Sequence, residues 1–166
     1  MKITLTPIGI LHVPHSDMEV SSSLQGVDGV VEVYPKYADG LRGIDDFSHI
    51  VLLAYLHKIK AEDRKVLIIK FRKFLKFGFS PEELPEVGVF ASDSPVRPNP
   101  IALTIVKLIK REGRFLHVSG LDLYDKTPII DIKPYTPDRY LKEYSLPKWY
   151  EDFLIKVKKR IKINRI

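Results

Sequence analysis

Ile101-Ala102-Leu103-Thr104-Ile105-Val106-Lys107-Leu108-Ile109-Lys110, followed across Glu112-Gly113 by Arg114-Phe115-Leu116-His117-Val118-Ser119, decides how this chain folds. Both runs carry β-branched, aliphatic or aromatic residues, and a glycine marks the tight turn between them, so they read as two joined strands. A third run, Pro128 to Lys133, follows. Upstream, His49 to Leu56 is almost continuously apolar, as a strand buried on both faces would be. Gly29 to Tyr34 and Val87 to Phe90 add strands, and residues 2–12 add another, which Pro7 and Gly9 make an edge or a bulge.

Helical periodicity is confined to the flanks. From Glu62 to Lys76, Leu67, Phe71, Phe74 and Leu75 share one face of a predicted helix, with Lys65, Arg72, Lys73 and Lys76 largely elsewhere. A second helix is expected over 146–162, capped by Ser145, with Pro147 in its first turn and Trp149, Phe153, Val157 and Ile161 as its apolar stripe. Leu41, Ile44 and Phe47 suit a short helix, and Pro14 to Asp28 reads as loop. Strands in the middle without βαβ alternation predict a mainly β (α+β) fold: a mixed or antiparallel β-barrel with a few flanking helices, not a Rossmann fold. The expected organisation is a barrel domain over 1–140 and a basic amphipathic helix over 141–166 that packs on it or extends it.

Composition narrows the chemistry. The absence of cysteine excludes disulfides, thiolate nucleophiles and zinc–thiolate sites. His12, His15, His49, His57 and His117 are scattered, which argues against a metal, and His49 in its apolar strand reads as structural. No run approaches the ~18–20 apolar residues of a membrane helix, and the N-terminal residues carry no signal-peptide pattern, so a cytoplasmic protein is expected. The formal charge of +6 and pI near 9.4 suit a polyanionic partner, or else a solvated surface.

Two segments concentrate polar chemistry. In Phe90-Ala91-Ser92-Asp93-Ser94-Pro95-Val96-Arg97-Pro98-Asn99-Pro100-Ile101, three prolines fall within six residues and hold Ser94, Arg97 and Asn99 extended. Arg97 offers a planar fork for carboxylate or phosphate, Asn99 a donor–acceptor pair for a base edge or ribose; a stiff surface turn is the alternative. In Gly120 to Tyr135, Asp122, Asp125 and Asp131 bracket a turn and a strand, with Lys133 on the face of Asp131. These carboxylates suit ribose hydroxyls, an ammonium group or a metal, or else are turn-formers and an Asp131–Lys133 ion pair.

Arg97-Pro98-Asn99-Pro100-Ile101, Gly120-Leu121-Asp122, Thr127-Pro128 and Asp131-Ile132-Lys133-Pro134-Tyr135 resemble the signature stretches of the TsaA/TrmO-like family. Pro7-Ile8-Gly9, Asp39-Gly40-Leu41, Phe47-Ser48-His49 and the strand ending at His57 match upstream in the same order. The resemblance implies a single β-barrel, a homodimer, and S-adenosylmethionine-dependent methylation of the N6 amine of threonylcarbamoyl-adenosine in tRNA. It implies a cofactor site of His57, Lys58, Asp93, Leu103, Asp122, Leu123, Tyr124 and Asp125, with Arg97, Asn99, Asp131, Lys133 and Tyr135 serving transfer.

Three positions depart from the family pattern. Ser92-Asp93-Ser94 stands where Thr-Arg-Ser is usual, the first long loop lacks a Pro-Arg-Gln stretch, and Lys126 stands where glycine is typical. Asp93 motivates one rival reading, a non-catalytic barrel that binds S-adenosylmethionine or a nucleotide. A cofactor-free basic tRNA-binding protein is the other. On the tRNA reading, Lys156, Lys158, Lys159, Arg160 and Lys162 would grip phosphates.

Overall fold

The structure, a computed structural model, describes residues 2–161, so Lys162 lies outside the described residues. Six strands close an antiparallel barrel: β1 (Gly9–His12), β2 (Val27–Val33), β3 (His49–Tyr55), β6 (Ile101–Glu112), β7 (Phe115–Leu121) and β8 (Pro128–Pro134). Around the wall the order is β1-β2-β7-β6-β3-β8, and every neighbouring pair is antiparallel. The expected barrel is therefore present, and its direction is fully antiparallel.

Period-two alternation fills the inside. Leu11, Val31, Ile50, Leu52, Val106, Leu116, Leu121 and Ile129 are fully buried in one cluster. Each such side chain removed from water contributes about 1.5–3 kcal/mol. β6 and β7 are joined through Gly113 and Arg114, with Glu112 opposite Phe115. Gly113 has φ +61°, which a two-residue hairpin needs at its first central position.

The chain divides into two compact units. The barrel unit comprises residues 1–59 and 99–139; the second comprises residues 60–98 and 140–166. Within the stretch expected as one barrel domain, residues 60–98 thus group with the C-terminal segment. In the second unit, Phe79, Leu84, Phe153 and Val157 form a buried cluster with Phe71, Phe74, Phe77 and Ile161 packed against it. The helix of this unit, α2, runs over Lys148–Ile161, so Pro147, expected in its first turn, and Ser145, expected as its cap, both precede it; the Glu151 N–H donates to the Pro147 carbonyl.

The helix predicted over 62–76 does not form. That stretch is a 3-10 turn (Asp63–Lys65), a short strand β4 (Ile68–Lys70) and a 3-10 segment (Arg72–Phe77) ended by Gly78. β4 pairs with β5 (Glu86–Gly88). The reason is local. Val66, Ile68 and Ile69 favour extended backbone, and only two members of the supposed face, Phe71 and Phe74, are drawn into the aromatic cluster. Leu67 and Leu75 are exposed. The strand expected at 87–90 ends early, since Val89–Ala91 turns as 3-10.

The loop expected over 14–28 contains α1 (Asp17–Ser22). Ser16 caps it: the Ser16 hydroxyl accepts from the Glu19 N–H while the Glu19 carboxylate accepts from the Ser16 N–H. The strand expected over 2–12 is formed only from Gly9. Pro35–Leu41 is a 3-10 helix, and Ile44 and Phe47, expected to extend a helix there, pack on the barrel core beyond its end.

Candidate functional site at one mouth of the barrel

Strand register decides which loops can meet. β3 runs from His49, opposite Lys107, to Tyr55, opposite Ile101. β8 runs antiparallel beside it, with Pro134 opposite Ile50 and Ile129 opposite Ala54. The β3 exit, the start of β6 and the β7–β8 turn therefore share one mouth. The Leu56 N–H donates to the Pro100 carbonyl (2.7 Å), which brings Asn99 to this mouth as an exposed residue.

His57, Lys58, Tyr124 and Asp125 meet here. The Lys58 ammonium donates to Asp17 and lies 5.0 Å from the centre of the Tyr124 ring. The Asp125 Oδ1 accepts from the Val13 N–H at 2.9 Å. Burial lowers the pKa of His57 and the Lys58 charge adds to that; Asp17 and Asp125 oppose it. Burial and the Lys58 charge both favour the neutral imidazole. Burial works against the Asp125 carboxylate, yet the Val13 N–H and the Lys126 ammonium outweigh it and hold its pKa below the ordinary value. The mouth thus offers an anion, a cation, an aromatic face and a neutral imidazole within a few residues' span.

The β7–β8 turn that presents Asp125 is tightly determined. The Lys126 N–H donates to the Leu11 carbonyl (2.8 Å), and the Thr127 hydroxyl donates to the Tyr124 carbonyl (2.7 Å). Thr127 is buried. Lys126 adopts φ +63°, a left-handed conformation that glycine takes without strain. The Lys126 Nζ reaches the His12 Nδ1 (3.1 Å), and the His12 Nε2 faces the Glu32 carboxylate (2.6 Å), which Arg114 also engages.

The other expected residues are dispersed. Asp122 is exposed on the same turn, but Leu123 is buried in the core, so only its main chain faces outward. Leu103, opposite Leu53, stands on the outer wall and is 65% exposed. Asp131, at mid-barrel opposite Leu53, pairs with Lys133 at 2.7 Å. Tyr135 lies at the far mouth, where its N–H donates to the His49 carbonyl (3.1 Å) and the two rings meet edge-on at 6.4 Å. The seven residues of β3 hold its two ends about 20 Å apart along the strand. Tyr135 is therefore not brought to His57 and Asp125 within one chain.

Arg97 and Asp93 belong to the second unit. The Arg97 guanidinium donates to the Ser92 carbonyl (3.2 Å), and the Ser92 hydroxyl donates to the Val89 carbonyl (2.9 Å), so the fork closes its own loop. Asp93 is exposed. Arg160, expected to grip phosphate, is instead engaged: it forks onto Glu83 (2.9 and 3.0 Å), donates to the Gly78 carbonyl (3.0 Å) and lies over the Phe79 ring at 4.1 Å. Asp17 is a member of the site that sequence reasoning misses. The Ser16-Asp17-Met18-Glu19 pattern, a capping box, is the signal that could place it on a fixed helix.

Among the described residues no group of three or more His, Cys, Asp or Glu is disposed to hold a metal ion, and no helix is long and apolar enough to cross a membrane.

Residues 12–139 match the family model of the tRNA-methyltransferase O N-terminal domain. A probable S-adenosyl-L-methionine-binding protein of Pyrococcus abyssi is 35% identical over 96% of this chain and 82% of its own length. The tRNA (adenine(37)-N6)-methyltransferase of Mus musculus is 39% identical over 59% of this chain and 21% of its own. The crystal structure of TrmO from Pseudomonas aeruginosa superposes with a TM-score of 0.61 at 26% identity, covering 87% of this chain. This chain spans 61% of that crystallised protein.

Proposed function

The chain belongs to the tRNA-methyltransferase O family, and from that premise we propose that it binds S-adenosylmethionine at the His57–Asp125 mouth and methylates a tRNA nucleoside. The substrate on this reading is the N6 amine of threonylcarbamoyl-adenosine. The observation that carries the proposal is the convergence of His57, Lys58, Tyr124 and Asp125, from two separate loops, on one mouth.

The donor set fits the ligand. Asp125 and Asp122 suit its ammonium and ribose hydroxyls, Lys58 its carboxylate, and the Tyr124 ring its purine. When bound, the cofactor supplies a methyl group already activated on a sulfonium. The protein's share is then positioning, desolvation and removal of the amine proton. Burial and the Lys58 charge favour the neutral form of His57, the form a proton acceptor needs. Asp125, kept ionised by the Val13 N–H and Lys126, has the charge that orients a cationic ligand.

The homodimer expected from the family is part of this proposal. Ile101, Leu103, Ile105 and Ile109 leave an apolar row exposed along one face of β6, which supports self-association there. Leu103 would then reach a cofactor pocket near the subunit interface. A monomer by light scattering at micromolar concentration removes this part.

The deciding experiment is calorimetric titration with S-adenosylmethionine, followed by mass spectrometry of nucleosides from tRNA incubated with protein and cofactor. Binding with a 14-Da gain on threonylcarbamoyl-adenosine is the expected result. Binding without transfer returns the chain to a cofactor-binding module, and no binding at all refutes the site.

A further inference from the structure

The chain's excess positive charge is not shared between its units. Residues 60–98 and 140–166 hold sixteen Lys and Arg against nine Asp and Glu, a net of +7. The barrel unit holds eleven against twelve, a net of −1. The second unit therefore carries the whole electrostatic footprint of a polyanion-binding protein.

The same unit contains a broad cleft of about 1450 Å³. Phe71, Phe74, Phe90, Trp149, Tyr150 and Phe153 line it. Trp149 and Phe71 lie nearly parallel at 24°, centroids 6.2 Å apart, and Phe71 continues to Phe153 at 5.5 Å and the same angle. Phe90 is 76% exposed, an unusual position for a phenylalanine with no role. Lys70, Arg72 and Lys73 line the cleft against Asp63, Glu86 and Asp93, so its lining is charge-balanced. The neutral, flat base suits the cleft and the phosphate suits the surface outside it. On α2, Trp149, Tyr150, Phe153, Leu154 and Val157 face the cleft, and helical spacing puts Lys156 and Lys158 on either border of that face. Lys158 forms no ion pair among the described residues.

We propose that the unit of residues 60–98 and 140–166 is an RNA-reading element that takes an unpaired nucleobase into its aromatic cleft, with Lys156 and Lys158 on the flanking phosphates. The inference rests on the tRNA reading above and adds a second interaction to it, on a base other than the one methylated. The cleft selects single-stranded over paired RNA, because only an unstacked base presents a free face to Trp149 and Phe90.

Trp149 is the chain's only tryptophan, so its emission reports this cleft alone. The full chain is titrated with six-nucleotide oligoadenylate and, separately, with a blunt RNA duplex of equal charge, reading Trp149 emission together with the anisotropy of labelled RNA. The expected result is quenching by oligoadenylate but not by duplex, and a roughly 5- to 150-fold loss of oligoadenylate affinity in Phe90→Ala, the range of one base–aromatic stack. Phe90 is exposed, so this variant tests the cleft without dismantling the core. Equal binding of the two RNAs with unchanged emission overturns the cleft, and if tRNA is still methylated the reading of the barrel mouth stands. A chain that neither binds nor methylates tRNA refutes both. Concentration-dependent self-association that Phe90→Ala abolishes, with RNA affinity unmoved, assigns the cleft to a second copy and also overturns the proposal.

Discussion

Replacing Lys126 by glycine and, in a separate variant, by alanine isolates the backbone cost of the turn that presents Asp125. Lys126 sits at φ +63°, where an L side chain costs roughly 1–2 kcal/mol. The turn cannot relax without breaking the Lys126 N–H bond to Leu11 and the bonds of buried Thr127 to Tyr124. Alanine keeps the strain but removes the ammonium from His12 and Asp125. Glycine removes the ammonium and the strain together, and gives back roughly 0.4–1 kcal/mol of unfolded-state entropy. The missing ammonium is common to both variants and cancels in the comparison; its pair with Asp125 at 3.8 Å is largely exposed, worth about 0–1 kcal/mol. The Gly variant should therefore be more stable than the Ala variant by about 0.5–1 kcal/mol, the reverse of the usual order. At this chain length that is roughly 1–4 °C in Tm. Paired thermal melts by circular dichroism read the difference directly. An Ala variant as stable as the Gly variant would refute the claim that hydrogen bonding pins residue 126 in the left-handed region.

The second unit should lose stability in acid through Glu83, whose pKa falls from 4.5 to about 2 because Arg160 and the Ser80 N–H favour the carboxylate. A depressed carboxyl contributes fully above its unfolded value and loses that contribution as pH falls from about 4.5 toward 2, so Glu83→Gln should flatten the pH–stability curve in that window and leave pH 6–8 without further slope. Asp125→Ala and His57→Ala should each weaken S-adenosylmethionine binding in calorimetry with the melting transition retained; two variants that titrate like the parent would misplace the cofactor mouth. Lys158→Ala with Lys159→Ala should weaken tRNA binding evenly across tRNA species and lower the salt slope by about one unit for each phosphate no longer neutralised, and superimposable salt curves would make these lysines solubilising surface only. Leu52→Ala, at a fully buried barrel position, should cost about 2–5 kcal/mol in denaturant unfolding, and a smaller loss would mean the interior is not close-packed.

The barrel is legible in the sequence because its strands state their period locally. Ile101 to Lys110 and Arg114 to Ser119 alternate around an evident glycine turn, and His49 to Leu56 reads as buried, which Ile50, Val51, Leu52 and Ala54 are while His49, Leu53, Tyr55 and Leu56 are half-buried. The stretch from Glu62 to Lys76 misleads for the opposite reason. The spacing of Leu67, Phe71, Phe74 and Leu75 fits a helix, but the aromatic cluster around Phe153 draws Phe71 and Phe74 inward and leaves Leu67 and Leu75 out. That competition is tertiary and has no local sign. The Ser16–Glu19 capping box, by contrast, is a local signal that a loop reading passes over. In the candidate site, His57, Lys58, Tyr124 and Asp125 come from a resemblance, and spacing alone could not have joined two loops nearly seventy residues apart. Tyr135 shows the converse limit: its sequence neighbourhood resembles the family, yet antiparallel register carries it to the far mouth.

The chain's order of synthesis meets a difficulty in the second unit. Phe71, Phe74 and Phe79 emerge long before Phe153 and Val157, which complete their cluster about 70 residues later. At about 5–20 residues per second the three rings wait roughly 4–15 seconds without their partners, while β6, β7 and β8 are made and the barrel wall becomes complete. During that interval the nascent chain displays a sticky aromatic segment. Arg72, Lys73 and Lys76 are interleaved with these phenylalanines, the placement by which flanking charges oppose aggregation of an exposed apolar segment.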